Sequence, residues 1–587
     1  MSSITLQRMG KYTYIYESES FWDVEKKRPD NKKTRIGKID LQTGKPVYVQ
    51  EYLNKLSSQG KSTIGMELWN KEKGSVAQTN AFHPSEAEIA RAVMDSVKDY
   101  GVVYFLKALA EKVGLLDVLR IVLPNAWQEI FCLACYLVTV DKPVMYCNDW
   151  VMSNYGLGVG SMSSQRISDL LAVIGCSERN HFYRLWHKLI REREYIALDI
   201  TSVSSYSEQI SACEWGYNRD GEALPQINIC MLFGENSKLP VYQTVYSGSL
   251  RDVTTLKATL SEFSALTGAT DTMVVMDKGF FSAKNVNMLL GMNEGEEALP
   301  CRFLISVPFT SKFAKGQVQS ERKDIDRLEN VILTSGAPIR GIRKLRAWGG
   351  GKKLNAHVFF NPEKAVKERN ELFGYVASLA RQATTDPDNK KLLPEYRKYL
   401  IVRKSQHAEG GVTVNVREDV VSKELETIGW FVLLSNHIED PQTAHDVYRM
   451  KDVVEKGFLK YKNNLGLDRL RVHGDDRMQN KVFVAFIALI IASAMHETMK
   501  TKGLFKRMTY DRLILILAKL KSADINGYTI LRPITKEQAE IFKAFDIPLP
   551  DYDTQEPSTP KKRGRKPKGL KTDSDYPFKT SKPSGEE

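Results

Sequence analysis

One short stretch, residues 441–463, combines a carboxylate with three groups that bind phosphate. If it forms a single helix at about 100° per residue, Tyr448, Lys451 and Lys462 all fall within roughly 40° of Glu455. A carboxylate beside a phenol and two ammonium groups suits metal-dependent chemistry on a phosphodiester. Acid and base at helical spacing more often form a solvated surface of ion pairs, so both interpretations remain open from this stretch alone.

Two further carboxylates each end a predicted buried strand. Asp199 closes the apolar run in REREYIALDIT, and Asp277 closes the run in DTMVVMDKGF. A charge is costly inside a sheet, and sites in α/β sheets tend to lie at strand ends. Either aspartate alone could simply cap a turn. Together with Glu455 they make three carboxylates, a set that can hold two divalent cations about 3.5–4 Å apart.

The elements that must position these side chains follow an α/β pattern. Residues 191–309 predict three strands, a helix, a strand, a helix and a final strand, with Asp252 at the start of the first helix. GWFVLLS, residues 429–435, adds a strand just before the stretch that contains Glu455. The apolar run at 482–495 is short for a membrane span and predicts a buried helix.

The composition favours a soluble protein that binds a polyanion. Of 587 residues, 42% are hydrophobic and 26% charged, and the net charge is +13. The N-terminus lacks the apolar core of a signal peptide. Seven cysteines, an odd number, indicate a reducing compartment, so we expect a cytoplasmic protein with no membrane partner. Cys132 and Cys135 form a CxxC inside an apolar run, which favours core packing over a zinc site.

Composition and periodicity divide the chain into seven segments. They are a β-rich region with possible DNA contact (1–85), a helical connecting or DNA-binding region (86–190), the first part of a catalytic core (191–309), a basic and irregular interruption (310–428), the second part of the core (429–500), a further helical region (501–549) and a tail (550–587). Pro, Ser, Lys and Asp dominate the tail, which predicts disorder.

The tail contains the Arg-Gly-Arg core of an AT-hook, at Arg563 and Arg565. Glycine between them lets the backbone approach the minor-groove floor, and the arginines can lie along a narrow A·T-rich groove. Lys566 separates Arg565 from the following proline, which departs from the usual motif. A plain basic tail is therefore an equal alternative.

Taken together, the motifs resemble the DDE transposases of bacterial insertion sequences, in the group marked by Tyr-x2-Arg-x3-Glu-x6-Lys. That signature reads Tyr448, Lys451, Glu455 and Lys462 here, so a lysine stands in place of the arginine and its bidentate phosphate grip is lost. The similarity continues through LDIT, DGEALPQINI, SGSLRD, VVMDKGFFS and LGLDRLRVHGDDRMQNKVFVAFIALII. It covers most of residues 10–548.

The resemblance implies an RNase H-like fold, a mixed sheet flanked by helices, with a β-rich insertion at 310–428. It implies that Asp199, Asp277 and Glu455 bind two Mg²⁺ ions, for which Mn²⁺ could substitute. The enzyme would cut DNA at the transposon's terminal inverted repeats and join the freed 3′-OH to target DNA, acting as a homodimer when two ends are paired. Tyr448, Lys451 and Lys462, three residues of the signature, would hold phosphates near the cut end.

Trp348, in IRKLRAWGGGKK within the interruption, lies where related transposases stack a base flipped out of the DNA end. An aromatic ring among Arg and Lys suits that role, and a half-buried strand tryptophan is the alternative. Two other functions stay open for the whole chain: a nuclease of the same fold that does not transfer strands, and a DNA-binding protein that has lost catalysis.

Overall fold

The computed structural model describes the chain apart from residues 1, 11, 24–27, 42–44, 60–66, 69–96, 191–194, 269–272, 294–297, 406–411, 450, 452–468, 526–527 and 552–587. The predictions made for Glu455, Lys462, Arg563, Arg565 and the tail therefore lie outside the described residues. The chain divides into two compact units. One comprises Met1–Asp99, Leu520–Ile534 and Pro550–Glu587, and the other comprises Tyr100–Lys519 and Thr535–Leu549.

The described residues of the first unit form two small sheets. The larger has five strands, and the smaller has three antiparallel strands. Their bounds are β1 (Ser2–Met9), β2 (Tyr12–Asp23), β3 (Arg28–Ile39), β4 (Pro46–Tyr48) and β5 (Glu67–Leu68) in the first, and β6 (Val97–Asp99), β18 (Lys521–Ile525) and β19 (Tyr528–Leu531) in the second. Helix α1 (Gln50–Ser58) buries Tyr52 and Leu56 against Ile15, Ile36 and Val47 of the larger sheet. The β-rich start of the chain is confirmed.

Helices open the second unit. They are α2 (Gly101–Lys112), α3 (Leu115–Val122), α4 (Trp127–Thr139), α5 (Cys147–Ser153), α6 (Ser164–Val173) and α7 (Cys176–Ile190). The helical pattern is confirmed from residue 101 onward, and Phe105, Leu106 and Leu109 are buried on α2 as their spacing predicts. All seven cysteines lie in the described ranges and none is in a disulfide, and Cys132 and Cys135 are buried within α4.

A nine-stranded mixed sheet forms the centre of this unit, in the order β12-β13-β14-β17-β11-β10-β7-β8-β9. The strands are β7 (Tyr195–Ser204), β8 (Gln226–Gly234), β9 (Pro240–Ser247), β10 (Met273–Met276), β11 (Phe303–Val307), β12 (Val331–Ile332), β13 (Ile339–Gly349), β14 (Lys352–Phe360) and β17 (Trp430–Ser435). Helix α8 (Asp252–Thr267) precedes β10, and α9 (Ala283–Leu289) follows it. Strand β10 pairs in parallel with β7 and β11, and the other neighbours are antiparallel. The predicted order of strands and helices over 191–309 is thus observed.

The interruption at 310–428 is shared between this sheet and a separate lobe. After α10 (Lys312–Glu321), strands β12 to β14 extend the central sheet, because β14 pairs with β17. Residues 362–428 then form the lobe: α11 (Pro362–Thr385), α12 (Leu393–Tyr399), the hairpin β15 (Leu400–Lys404) and β16 (Val412–Val416), and α13 (Glu418–Leu425). The lobe has its own core around Leu379 and Tyr396. It is mainly helical, unlike the β-rich insertion that the resemblance implies.

Helix α15 (Asp475–Thr501) contains more buried residues than any other helix that the structure describes, and every residue from 482 to 495 is buried, as predicted. Among the described helices it is long and apolar enough to cross a membrane, as is the bent pair at 127–139 and 144–153 if counted together. However, 83% of its most apolar window is inside the protein. Asn480 donates to the carbonyls of Leu171 and Ile174 at 2.9 and 2.8 Å, which fixes α15 against α6. It is therefore a core helix.

Three more helices lie in the described part of the second unit. Their bounds are α14 (Pro441–Arg449), α16 (Tyr510–Ala518) and α17 (Lys536–Ala544). Helix α17 begins with a capping box, in which Thr535 and Gln538 bond each other's backbone N–H groups. The Gln538 side chain also donates to the Ile516 carbonyl at 2.9 Å and so attaches α17 to α16.

Candidate active site

Two aspartates lie side by side where β7 and β10 run parallel. Leu198 is opposite Met276 in the ladder, so the next residues, Asp199 and Asp277, lie at the same level of the sheet. Adjacent strands are about 4.8 Å apart, which lets both carboxylates face one cation. Asp277 follows its strand directly, as predicted. The prediction that Asp199 ends its strand is wrong, because β7 continues to Ser204 along its antiparallel partner β8 after the parallel pairing stops.

Tyr448 and Lys451 both reach Asp277 from α14 and the turn that follows it. The Tyr448 hydroxyl donates to Oδ1 of Asp277 at 3.1 Å, and Nζ of Lys451 lies 3.3 Å from Oδ2. Helix α14 begins at Pro441 as expected, but its described part ends at Arg449, and the Lys451 N–H bonds the Tyr448 carbonyl in a turn. Two of the four signature residues therefore meet at one of the predicted carboxylates.

The two carboxylates titrate differently because their surroundings differ. Burial raises the pKa of Asp199 to about 6, against the opposing effect of the Lys451 charge and the Ile200 N–H, which lies 2.9 Å from Oδ1. Burial acts the same way on Asp277. However, the charge of Lys451 and hydrogen bonds from Lys278, Lys451 and Tyr448 together lower the pKa of Asp277 below its ordinary value. In the metal-free protein, Asp277 is thus ionised while Asp199 can take a proton just below neutral pH.

A salt bridge connects the loop after β7 with Asp252, the first residue of α8. Arg219 bonds both carboxylate oxygens of Asp252, at 2.5 and 2.6 Å, and donates to the Ser202 hydroxyl at 3.2 Å. A side chain at Gly279 would meet Oδ2 of Asp252 at 2.7 Å, so the turn after Asp277 packs directly on this pair. Asp252 was predicted only as a helix start. Arg219 directly precedes the motif DGEALPQINI, and Asp252 is the last residue of the motif SGSLRD. Nothing in the spacing of the two motifs indicates that these side chains form a salt bridge.

An open cleft of about 1600 Å³ leads away from Asp277. Asp277, Tyr448 and Lys451 line one part, and residues of α11 and α13 line another. Its walls carry Lys278, Lys315, Lys364, Lys423 and Arg449, together with Glu368, Glu371 and Glu424. Asp277 is therefore reached through a cleft whose basic side chains suit a polyanion such as DNA.

Trp348 lies near the end of β13 and is half-buried. Its Nε1–H donates to Oδ1 of Asn287 at 2.8 Å, and its ring meets Phe281 and Phe313 edge-on, with centroids 6.5 and 5.8 Å away. These contacts match the alternative of a half-buried strand tryptophan. The base-stacking role stays a prediction.

A third metal-binding side chain is needed to complete the set that the sequence predicts. Within the described ranges, no three or more His, Cys, Asp and Glu side chains converge as a metal site. Glu455 and the phosphate-binding candidate Lys462 fall outside those ranges. The described part of the site thus comprises Asp199, Asp277, Tyr448 and Lys451.

Comparison with known proteins gives one family match. The family model described as the Transposase DDE domain matches residues 191–491, just over half of the chain, and the match includes all the carboxylates and signature residues considered above. Among solved structures, the cryo-EM structure of a piggyBac transposase synaptic complex with hairpin DNA aligns with 74% of this chain and 79% of that chain, at 11% identity and a TM-score of 0.35. No curated protein matches the chain.

Proposed function

The chain belongs to the Transposase DDE domain family, whose members cut and join DNA, and on that premise we propose that it is the transposase of a bacterial insertion sequence. It would cut the terminal inverted repeats of its element and join them to target DNA in the cytoplasm. The observation that carries this proposal is the convergence of Asp199, Asp277, Tyr448 and Lys451, which come from two neighbouring strands, a distant helix and the turn after it.

The donor set fits a hard divalent cation. Asp199 and Asp277 offer neighbouring carboxylates. The ammonium of Lys451 already pairs with Asp277, which shows that this carboxylate can hold a positive charge. We propose that Glu455 completes the set. Two Mg²⁺ ions held there, or Mn²⁺ in their place, would activate the attacking oxygen and stabilise the leaving oxygen.

The chain's own residues would then bind and orient the DNA. Water attacks the phosphodiester at the transposon end and releases a 3′-OH, and this hydroxyl attacks a phosphodiester of the target, with the displaced 3′ oxygen leaving. Tyr448 and Lys451 lie beside Asp277 where the scissile phosphate must approach, so they can donate to its non-bridging oxygens. Lys462 is proposed for the same role further along the strand. Lysines along the cleft would contact the flanking backbone.

Strand order supports an RNase H-like core. In the sheet, the antiparallel strands β9, β8 and β7 lie next to the parallel strands β10 and β11. If these five strands are numbered 1 to 5 along the chain, their order across the sheet is 3-2-1-4-5. Residues 310–428 would then be an insertion before the segment with Glu455. Pairing two transposon ends would require at least a homodimer during the reaction.

The test of this proposal supplies the protein with Mg²⁺, a pre-nicked transposon end that carries a 3′-OH, and a target plasmid. A covalently joined product is the expected result. Hydrolysis of the DNA without joining would instead identify a nuclease, and binding without either reaction would identify a DNA-binding protein that has lost catalysis.

Metal binding is expected to weaken as the pH falls through 6. Below that pH Asp199 holds a proton and cannot act as a ligand, whereas above it the carboxylate is ionised. Because one proton competes with the metal for the Asp199 carboxylate, Mn²⁺ should bind about tenfold more weakly at pH 5 than above pH 7. Calorimetric titration with Mn²⁺ at both pH values measures this, and Asp199→Asn should lose both affinity and pH dependence. An unchanged wild-type affinity between pH 5 and 7 would refute the prediction.

Deleting the chain after Pro550 is expected to weaken general DNA affinity without ending catalysis. The deletion removes Arg563, Arg565 and neighbouring lysines, and each lost phosphate contact lowers the salt dependence of binding by about one unit of slope. Fluorescence anisotropy at several salt concentrations measures the slope. A truncated protein with no cleavage activity would contradict this role for the tail.

A further inference from the structure

Arg219, in the loop between β7 and β8, joins the strand that carries Asp199 to helix α8. Its Nη1 donates at 3.2 Å to the hydroxyl of Ser202, which is fully buried on β7. Its Nη2 bonds both carboxylate oxygens of Asp252, the first residue of α8, at 2.5 and 2.6 Å. Because the guanidinium is a rigid planar fork, it fixes the distance between β7 and the start of α8.

The residue before Arg219 fixes the loop around it. The Asn218 side chain donates to the Ser204 hydroxyl of β7 at 3.0 Å. Its Oδ1 accepts the N–H groups of Asp220 and Glu222 at 2.8 and 3.3 Å, as asparagine often does where it holds a turn. Arg219 is therefore held at its backbone as well as at its guanidinium, so it can fix the start of α8 relative to β7.

The turn that follows Asp277 rests on the other member of this salt bridge. A β-carbon at Gly279 would lie 2.7 Å from Oδ2 of Asp252. A carboxylate oxygen could usually move aside for such an atom, but Arg219 holds this one. The close approach of the turn to Asp252 therefore needs both a glycine in the turn and a carboxylate that stays in place.

A second contact attaches the same turn to the start of α8. The buried side chain of Asn285 donates to the carbonyls of Val253 and Phe280 at 2.8 and 2.9 Å. Val253 is the second residue of α8, and Phe280 ends the turn that follows Asp277. The backbone after Asp277 is thus fixed to α8 at two points, and Arg219 fixes α8 to the strand of the other aspartate.

We propose that Arg219 is a positioning residue: through its salt bridge to α8 it sets the spacing of Asp199 and Asp277, and thereby their affinity for divalent cations. This inference rests on the proposed function, since it takes the two aspartates to be metal ligands. Two cations about 3.5–4 Å apart require ligands held to within about 0.5 Å.

The salt bridge acts from outside the metal site. Asp199 and Ser202 are three positions apart in a ladder without a bulge, so their side chains project from opposite faces of β7. Both oxygens of Asp252 already accept from Arg219, and a guanidinium is no metal ligand. The pair therefore affects the metal through the placement of the two strands' ends, not by contact.

The experiment titrates the full-length, metal-free protein with Mn²⁺ by calorimetry, without DNA and above pH 7. Arg219→Gln is expected to bind Mn²⁺ about 10- to 100-fold more weakly than wild type, because Asp252 is no longer held beneath the turn. Arg219→Lys keeps the charge but not the fork, so its affinity should be intermediate. Gly279→Ala keeps both charges and should also weaken binding, because its methyl group would displace the turn from Asp252.

Glu222→Gln is the matched control. It breaks a second salt bridge of the same loop, in which Glu222 and Arg469 are 2.6 Å apart and 33% and 24% exposed, close to the 25% and 24% of Arg219 and Asp252. Its Mn²⁺ affinity should equal that of wild type. The free energy of unfolding is measured without metal, since a purely structural role would lower it and leave the Mn²⁺ affinity of the folded protein unchanged.

Three results would overturn this role of Arg219. They are a wild-type Mn²⁺ affinity in Arg219→Gln, or in Gly279→Ala if Arg219→Gln does not fold; an equal loss of affinity in Glu222→Gln; and a wild-type protein that binds no Mn²⁺. Joining of DNA ends in Mg²⁺ is measured separately on the wild-type protein. A failure of the proposed function would therefore appear in that assay and not in the comparison of the variants.

Discussion

Asp277→Asn is expected to reduce cleavage of a transposon end by about 10³-fold or more, because it removes several kcal/mol of charge stabilisation from the metal-binding site. The amide keeps the size of the side chain and can still accept the Tyr448 hydrogen bond, but it cannot neutralise a divalent cation or pair with Lys451. Single-turnover cleavage of a labelled DNA end in Mg²⁺ measures the loss. Glu455→Gln is expected to give the same pattern.

DNA affinity distinguishes a catalytic from a structural effect of this change. The basic surface is untouched in Asp277→Asn, so duplex binding should stay within about twofold of wild type. Asp446→Asn is the matched control, since Asp446 is an exposed acid on the same helix as Tyr448 and bonds only Gln442 and His445 among the described contacts. Cleavage by Asp277→Asn at more than a tenth of the wild-type rate, or a parallel loss of binding, would count against the assignment.

Phe483→Ala is expected to lower the free energy of unfolding by about 3–5 kcal/mol, a large part of the roughly 5–15 kcal/mol that stabilises a domain. Phe483 is fully buried on α15, and its ring meets those of Phe182 and Tyr183 edge-on at 5.1 and 6.0 Å. Removing the ring leaves a cavity between α15 and α7. Helix α15 also accepts a hydrogen bond from Gln243 of β9 at the Val482 carbonyl, so the damage reaches the central sheet.

Denaturant unfolding followed by near-UV circular dichroism measures this change. Phe373→Ala removes the same side chain from a position that is 47% exposed on α11 and should cost less than about 1 kcal/mol. Cleavage activity of Phe483→Ala should fall with the folded fraction and recover at lower temperature. Wild-type stability in this variant would show that α15 does not form the core described here.

Local patterns in the sequence were enough to predict the carboxylate at Asp277 and the helix that carries Tyr448. An apolar run that stops at an aspartate indicates a strand and its end, and Pro441 indicates a helix start. The same reasoning failed at Asp199, because a second strand partner carries β7 past the charged residue. Which neighbour extends a strand depends on pairing between segments, and a single sequence does not reveal it.

The other contacts that the sequence did not predict join residues that are far apart in the chain. Arg219 reaches Asp252 across 33 residues, and β14 joins β17 through pairs such as Asn355 with Ser435, so neither contact leaves a periodic signal in the sequence. The basic residues around Trp348 in the sequence predict a contact with DNA, whereas its ring packs on the neighbouring aromatic side chains of Phe281 and Phe313.

Strands β14 and β17 close on each other as a hairpin would. Phe360 pairs with Trp430, and the Asn361 N–H donates to the Gly429 carbonyl at 2.8 Å, so the chain leaves and rejoins the sheet at a single point. A reverse turn of a few residues could therefore replace the intervening lobe, because it would connect the end of β14 to the start of β17 and keep the strand order. DNA affinity and cleavage by such a shortened protein would show whether residues 362–428 contribute to either activity.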